Sequence, residues 1–172
     1  MSETRTAAER RVTITGEIVS QTGLNEATIE RLVRQFYAEV RRDPILGPIF
    51  DDRISDWEPH LQRMCEFWSS VMLMSGRYHG NAMVKHLPLP IDSVHFDRWL
   101  ALFEEACRKV CTPAAAAYFV ERARRIAESL EQGIAGRHGV LLRKGERFCQ
   151  PEHQAAKTES AWPTRTRPSA SS

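Results

Sequence analysis

The chain has 172 residues, 42% of them apolar and 27% charged, with a formal net charge of +2 at pH 7. That length suits one domain able to bury a core without disulfides or metals, and so weak a positive charge offers no basic face for nucleic acid. No run approaches the roughly 20 apolar residues of a membrane-spanning helix, and the opening MSETRTAAERR lacks the apolar segment of a signal peptide, so a cytoplasmic protein with no membrane partner is expected. In that setting Cys65, Cys107, Cys111 and Cys149, none spaced as CxxC, are expected as reduced, mostly buried thiols.

Residues 1–24 mix Thr, Glu, Arg and Ser around the alternating Val12-Thr13-Ile14-Thr15. A single short strand would have no partner elsewhere, so this stretch reads as a flexible, loosely attached N-terminal arm. Asn25 can cap the first firm helix, whose apolar face is Ile29, Leu32, Val33, Phe36, Tyr37 and Val40. Residues 44–50, PILGPIF, are too apolar for a solvent loop and are expected to plug one end of the core. Ser55 or Asp56 caps a second helix with Pro59 in its first turn. There Trp57, His60, Leu61, Met64, Phe67, Trp68, Val71 and Met72 recur at three and four, which sets His60 on a buried stripe. Gly76 and Gly80 bracket the polar stretch that ends this helix.

The next stretch, 85–103, reads KHLPLPIDSVHFDRWLALF. His86 precedes Pro88 and Pro90, so it sits where a short helical turn must stop, because proline lacks a backbone donor and pushes its predecessor towards extended geometry. A histidine there is held stiffly and can be aimed. Asp92 caps a third helix that turns Phe96, Trp99, Leu100, Phe103, Cys107 and Val110 inward, and Thr112-Pro113 opens a fourth. The inward stripe of that last helix is Ala116, Phe119, Ala123, Ile126, Ala127, Leu130 and Ile134, with Gly133 and Gly136 marking its end. Residues 137–172 lose periodicity and are expected as a disordered basic tail, which leaves an all-α body over 25–136. His79 and His95 fall at loop and first-turn positions where exposure is expected, and His138 and His153 carry no visible partner.

Two histidines on inward positions, accompanied by Tyr37 and Trp99, are the candidate chemistry. A lone histidine on an apolar stripe is usually a hydrogen-bonded core residue, whereas a pair facing one interior suits a metal or cofactor. A closed zinc site wants three or four ligands, and no third lies at ligand spacing. Haem needs one strong protein ligand and a flat apolar slot.

The set Phe36-Tyr37, Leu46-Gly47-Pro48-Ile49-Phe50, Trp57-Glu58-Pro59-His60, Phe67-Trp68, Lys85-His86-Leu87 and 96–103 resembles the truncated haemoglobins, specifically group III, over about 25–134. The resemblance implies a two-over-two helical sandwich around haem b, with the first two firm helices paired, the last two paired, and the proximal helix shrunk to a turn. It matches His86 to the proximal iron ligand, Tyr37 to the distal tyrosine, His60 to the distal histidine and Trp99 to the distal-side tryptophan. Phe36, Phe50 and Met64 match pocket walls, and Arg63, Tyr78 and Lys85 stand where they could meet the haem propionates or, for the two cations, simply face solvent.

A phenol and an indole N–H are donors for a ligand oxygen carrying partial negative charge, so slow dioxygen release is expected, with His60 as a candidate gate. Nitric oxide and carbon monoxide are the other expected ligands. Dioxygen-dependent nitric oxide oxidation and peroxide activation both suit such donors, with electrons from an unidentified reductase; bulk oxygen transport suits them less. Two alternatives remain at this point. One is a haem-free helical module that binds a partner through its last helix and tail, and the other is a haem sensor that signals through the tail.

Overall fold

The computed structural model describes residues 6–151. Within them the chain forms α1 (Ala7–Thr22), α2 (Glu26–Val40), α3 (Gly47–Asp51), α4 (Trp57–Leu73), α5 (Ala82–His86), α6 (Ser93–Val110) and α7 (Pro113–Arg137). The starts of the long helices follow the local chemistry. Asn25 accepts from Thr28 N–H at 2.9 Å, Asp56 from Glu58 N–H at 3.2 Å, Asp92 from Val94 N–H at 3.2 Å and Thr112 from Ala115 N–H at 3.2 Å. The last turn of α4 stops at Met74, in left-handed backbone at φ 54°.

Helices α2 and α4 pack as one pair and α6 and α7 as another, with α2 lying against α6 to join the layers. Phe36, Trp68, Phe103 and Phe119 are buried in the main core, and Ile91, Phe96, Leu130, Ile134 and Phe148 form a second cluster on the α6–α7 side. Leu100 and Ile126 pack against both. Asp43 fixes the corner between α2 and α3: its carboxylate accepts from Ile45 N–H at 3.0 Å and Leu46 N–H at 2.9 Å, and pairs with Arg98 of α6 at 2.6 Å. Burial alone would raise the Asp43 pKa, but these donors outweigh it and hold the carboxyl below its ordinary range.

Four expectations are corrected. Over 1–24, the described part is the helix α1 rather than a loose arm with a weak strand. Thr6 and Glu9 form a reciprocal capping box, Gly23 closes the end at φ 68°, and Thr15 Oγ donates to Leu73 O of α4 at 3.1 Å. The β-branched run 12–15 costs a helix only a few tenths of a kcal/mol per residue, so caps and docking outweigh it. Gly133 and Gly136 lie inside α7, which runs on to Arg137. A Cβ on Gly133 would collide with the Met83 sulfur, so the glycine serves the close approach of α5 rather than a helix end.

The segment after 137 also packs across its described part, because Phe148 is buried in the second cluster and Arg147 pairs with Glu131 at 3.0 Å and Asp97 at 2.8 Å. His138 rests on the Phe148 ring at 5.3 Å between centroids, while His153 and the rest of the expected tail lie outside the described residues. His95 is not exposed, since its ring closes the Asp92 capping box and its side chain is largely covered.

Candidate functional site

The candidate groups stand on α2, α4, α5 and α6, with α3 lending Phe50. Tyr37 is buried on α2, and its ring meets Phe36 edge-on at 4.9 Å and Phe50 at 5.7 Å. His60, one turn into α4, sits edge-on to Tyr37 at 5.0 Å with Trp57 at 5.7 Å and Phe50 at 6.3 Å, so three aromatic rings box the imidazole. Its Nε2 is buried and has no hydrogen-bond partner. Burial, then the charges of Arg63 and His86, bring His60 down to about 4, so the ring is neutral at pH 7.

Trp99 reaches the same side from α6. Trp68, Phe103 and Trp99 stack in a row, with centroids 4.8 and 5.1 Å apart and planes tilted by 15° and 8°. Phe36 meets Trp99 edge-on at 5.3 Å, which locks the indole from the α2 side. Neither the Tyr37 hydroxyl nor the Trp99 indole N–H hydrogen-bonds another described residue. Burial raises the Tyr37 phenol pKa, with a smaller contribution from Cys65, so the hydroxyl keeps its proton.

His86 closes α5. Asn81 caps this turn at Val84 N–H, and Leu89 N–H donates back to His86 O at 2.9 Å. The His86 Nδ1 lies 2.7 Å from Ala82 O. A carbonyl can only accept, so Nδ1 carries the proton and Nε2 keeps its lone pair free. On the same elements and their flanks the apolar side chains of Phe50, Met64, Phe67, Met83, Leu87 and Trp99 are only half-buried.

The expected wall residues divide. Phe36 and Phe50 belong to the aromatic box, and Met64 packs on the main core one turn beyond His60. Tyr78 is fixed by its N–H to Ser70 Oγ at 2.9 Å and by Phe67, edge-on at 5.2 Å. Arg63 and Lys85 are exposed and pair with no described carboxylate. The geometry adds partners that spacing did not single out: the Trp68–Phe103 stack behind Trp99, Arg41 lying 4.8 Å over the Trp57 ring, and Gly133 beneath Met83. An isolated glycine within an otherwise helical run was the available signal for the last of these.

A sandwich of the α2–α4 and α6–α7 pairs that gathers a phenol, an imidazole and an indole around one aromatic cluster is the architecture of a small globin. Residues 19–131 match the bacterial-like globin family, to which the chain belongs. Group 3 truncated hemoglobin ctb of Campylobacter jejuni is 34% identical over 113 residues, 63% of this chain and 89% of that protein. The crystal structure of the group III truncated hemoglobin from Campylobacter jejuni superposes with a TM-score of 0.61 at 32% identity, covering 72% of this chain and 95% of that one. The hemoglobin of Chloroflexus aurantiacus follows the same fold with a TM-score of 0.56 at 28% identity, covering 66% and 95%. The chain is thus a two-over-two globin of the group III truncated branch. Globins of this family hold haem and bind diatomic gases at it.

Proposed function

We propose that this chain binds haem b through His86 and takes up dioxygen and other diatomic gases on the side lined by Tyr37, His60 and Trp99. The observation that carries the reading is the buried, unpartnered Nε2 of His60. A buried polar atom left without a partner costs about 1–3 kcal/mol, and such a cost persists where the group has work to do. The free Nε2 of His86, oriented by Ala82 O, fits an axial ligand, and the half-buried apolar side chains fit a flat hydrophobic cofactor. Haem would supply an iron centre that binds a diatomic ligand and passes partial negative charge to it.

The protein's own groups then do the rest. The Tyr37 hydroxyl and the Trp99 N–H donate to that charge, and the rigid aromatic packing behind both holds them ready without reorganisation. His60, neutral at pH 7, stands beside the Tyr37 ring and offers one further polar atom. The donor set suits dioxygen-dependent nitric oxide oxidation better than bulk transport, because strong donors slow release. Turnover would draw electrons from a separate reductase.

The test is absorption spectroscopy of the haem-supplemented protein in its ferric, ferrous and carbon monoxide forms. A Soret band that shifts on carbon monoxide binding and collapses in His86→Ala is the expected result. A chain that acquires no Soret band, or whose spectra and gas binding survive His86→Ala unchanged, overturns the proposal.

A further inference from the structure

The match to the bacterial-like globins ends at residue 131, yet the described chain runs on to 151 and doubles back over the joint that follows His86. Several hydrogen bonds tie it there and to α7. Ser93 N–H donates to Phe148 O at 2.9 Å, Gln150 N–H to the Asp92 carboxylate at 3.1 Å, Gln150 Nε2 to Ile91 O at 3.3 Å and Phe148 N–H to the Glu131 carboxylate at 2.7 Å. Asp92 and Glu131 are both buried. Phe148 is 2% exposed, and its cluster includes Ile91 with Met83 and Leu89 packed against it, so it shares a core with residues three before and three after His86.

The His86 turn itself has little else to hold it. Helix α5 is five residues long and contributes no fully buried side chain. Its other supports are the close approach to Gly133 and the prolines at 88 and 90. We infer that residues 143–150 form a clasp that fixes the position and stiffness of the His86 turn, which makes Phe148 and Gln150 positioning residues for the proximal imidazole. Phe148 wedges the 89–92 joint against α7, and Gln150 pins both Ile91 and the Asp92 cap. The functional half of this inference rests on the reading of His86 as the iron ligand, whereas the structural half does not.

Hydrogen–deuterium exchange on the haem-loaded full chain tests it. Phe148→Ala and Gln150→Pro, the latter removing the N–H given to Asp92, are compared with Phe148→Leu and with a chain ending at residue 151. Exchange over 82–89 is expected to rise about tenfold or more in the first two and to stay at the parent level in the last two, with 26–40 and 57–73 unchanged. Unchanged exchange over 82–89 in Gln150→Pro overturns the clasp, and that variant decides alone if Phe148→Ala loosens 26–40 as well. The iron–imidazole stretch of the ferrous form, read by resonance Raman, is expected to shift in Gln150→Pro. If the same band survives His86→Ala, the ligand assignment fails while the exchange data still judge the clasp.

Discussion

Tyr37→Phe separates the chemistry of the site from its architecture, because it deletes one atom and leaves the ring. The phenyl group keeps the edge contacts with Phe36 at 4.9 Å, His60 at 5.0 Å and Phe50 at 5.7 Å. Since the hydroxyl hydrogen-bonds no other described residue, its removal costs the fold no internal bond, and folding stability should change by less than about 0.5 kcal/mol. The gas complex is another matter. A hydrogen bond to a charged acceptor contributes about 1.5–3 kcal/mol, so at 1.4 kcal/mol per decade dioxygen should dissociate roughly 10- to 150-fold faster. Stopped-flow displacement of dioxygen by carbon monoxide measures the rate, and a thermal melt measures the stability. An unchanged dissociation rate in a variant that melts like the parent would show that the Tyr37 hydroxyl does not meet the ligand.

Trp99→Phe should act in the same direction through loss of the indole N–H, with the Phe103 stack partly kept, and the same displacement assay reads it. For His60, burial holds the folded pKa down to about 4 against an ordinary 6.5, so between those values the unfolded chain binds a proton that the folded chain refuses. Stability therefore falls on acidification across this window, by about 1–2 kcal/mol once solvent screening of the part-exposed ring is allowed for. Urea midpoints for His60→Gln should fall less than the parent's between pH 7 and pH 4.5, and equal losses would discount the buried imidazole. Asp43→Asn removes the charge that binds Arg98 and should cost about 2–3 kcal/mol at pH 7 by urea unfolding. The difference should vanish in acid, since the parent's carboxylate, with its depressed pKa, loses its contribution as pH falls through the folded value. Gly133→Val drives branched carbon into Met83 and Leu87, so haem transfer to apomyoglobin should accelerate while the far end of α7 keeps its helical signal.

The long helices were readable because their start signals are local. Asn25, Asp56, Asp92 and Thr112-Pro113 each cap with a side chain two or three residues from the backbone donor they satisfy, and apolar periodicity does the rest. Helix α1 carries equally local signals, Thr6 with Glu9 and a closing Gly23, whereas the alternating run 12–15 has the local pattern of a strand. Phe148 was illegible for a different reason. A single aromatic in a polar segment has no period, and only the tertiary fold shows that the space beside Ile91 and Ile134 awaits it. Tyr37, His60 and Trp99 stand on inward stripes, so their inward placement was foreseeable. Their convergence was not, because spacing along one helix says nothing about which face of another helix it will meet.

The two sides of the proposed site are held by different means. Tyr37 and Trp99 stand on helices of 15 and 18 residues, and behind them Phe36 and Phe103 are each 1% exposed. Disturbing either donor would require repacking the main core, which costs several kcal/mol for each large side chain moved. His86 stands on a five-residue turn whose geometry rests on one carbonyl, two prolines, a glycine beneath it and the chain returning from the C-terminus. A segment with so few buried contacts opens locally at small free-energy cost. Under the proposed ligation, the Tyr37 and Trp99 donors would be set by folding alone, whereas the His86 imidazole would gain order once its Nε2 was bound, because binding to the closed arrangement shifts the local equilibrium towards it. On this account loss of haem begins at α5, and substitutions in the 88–92 joint or its C-terminal clasp alter haem retention well before they alter the aromatic box.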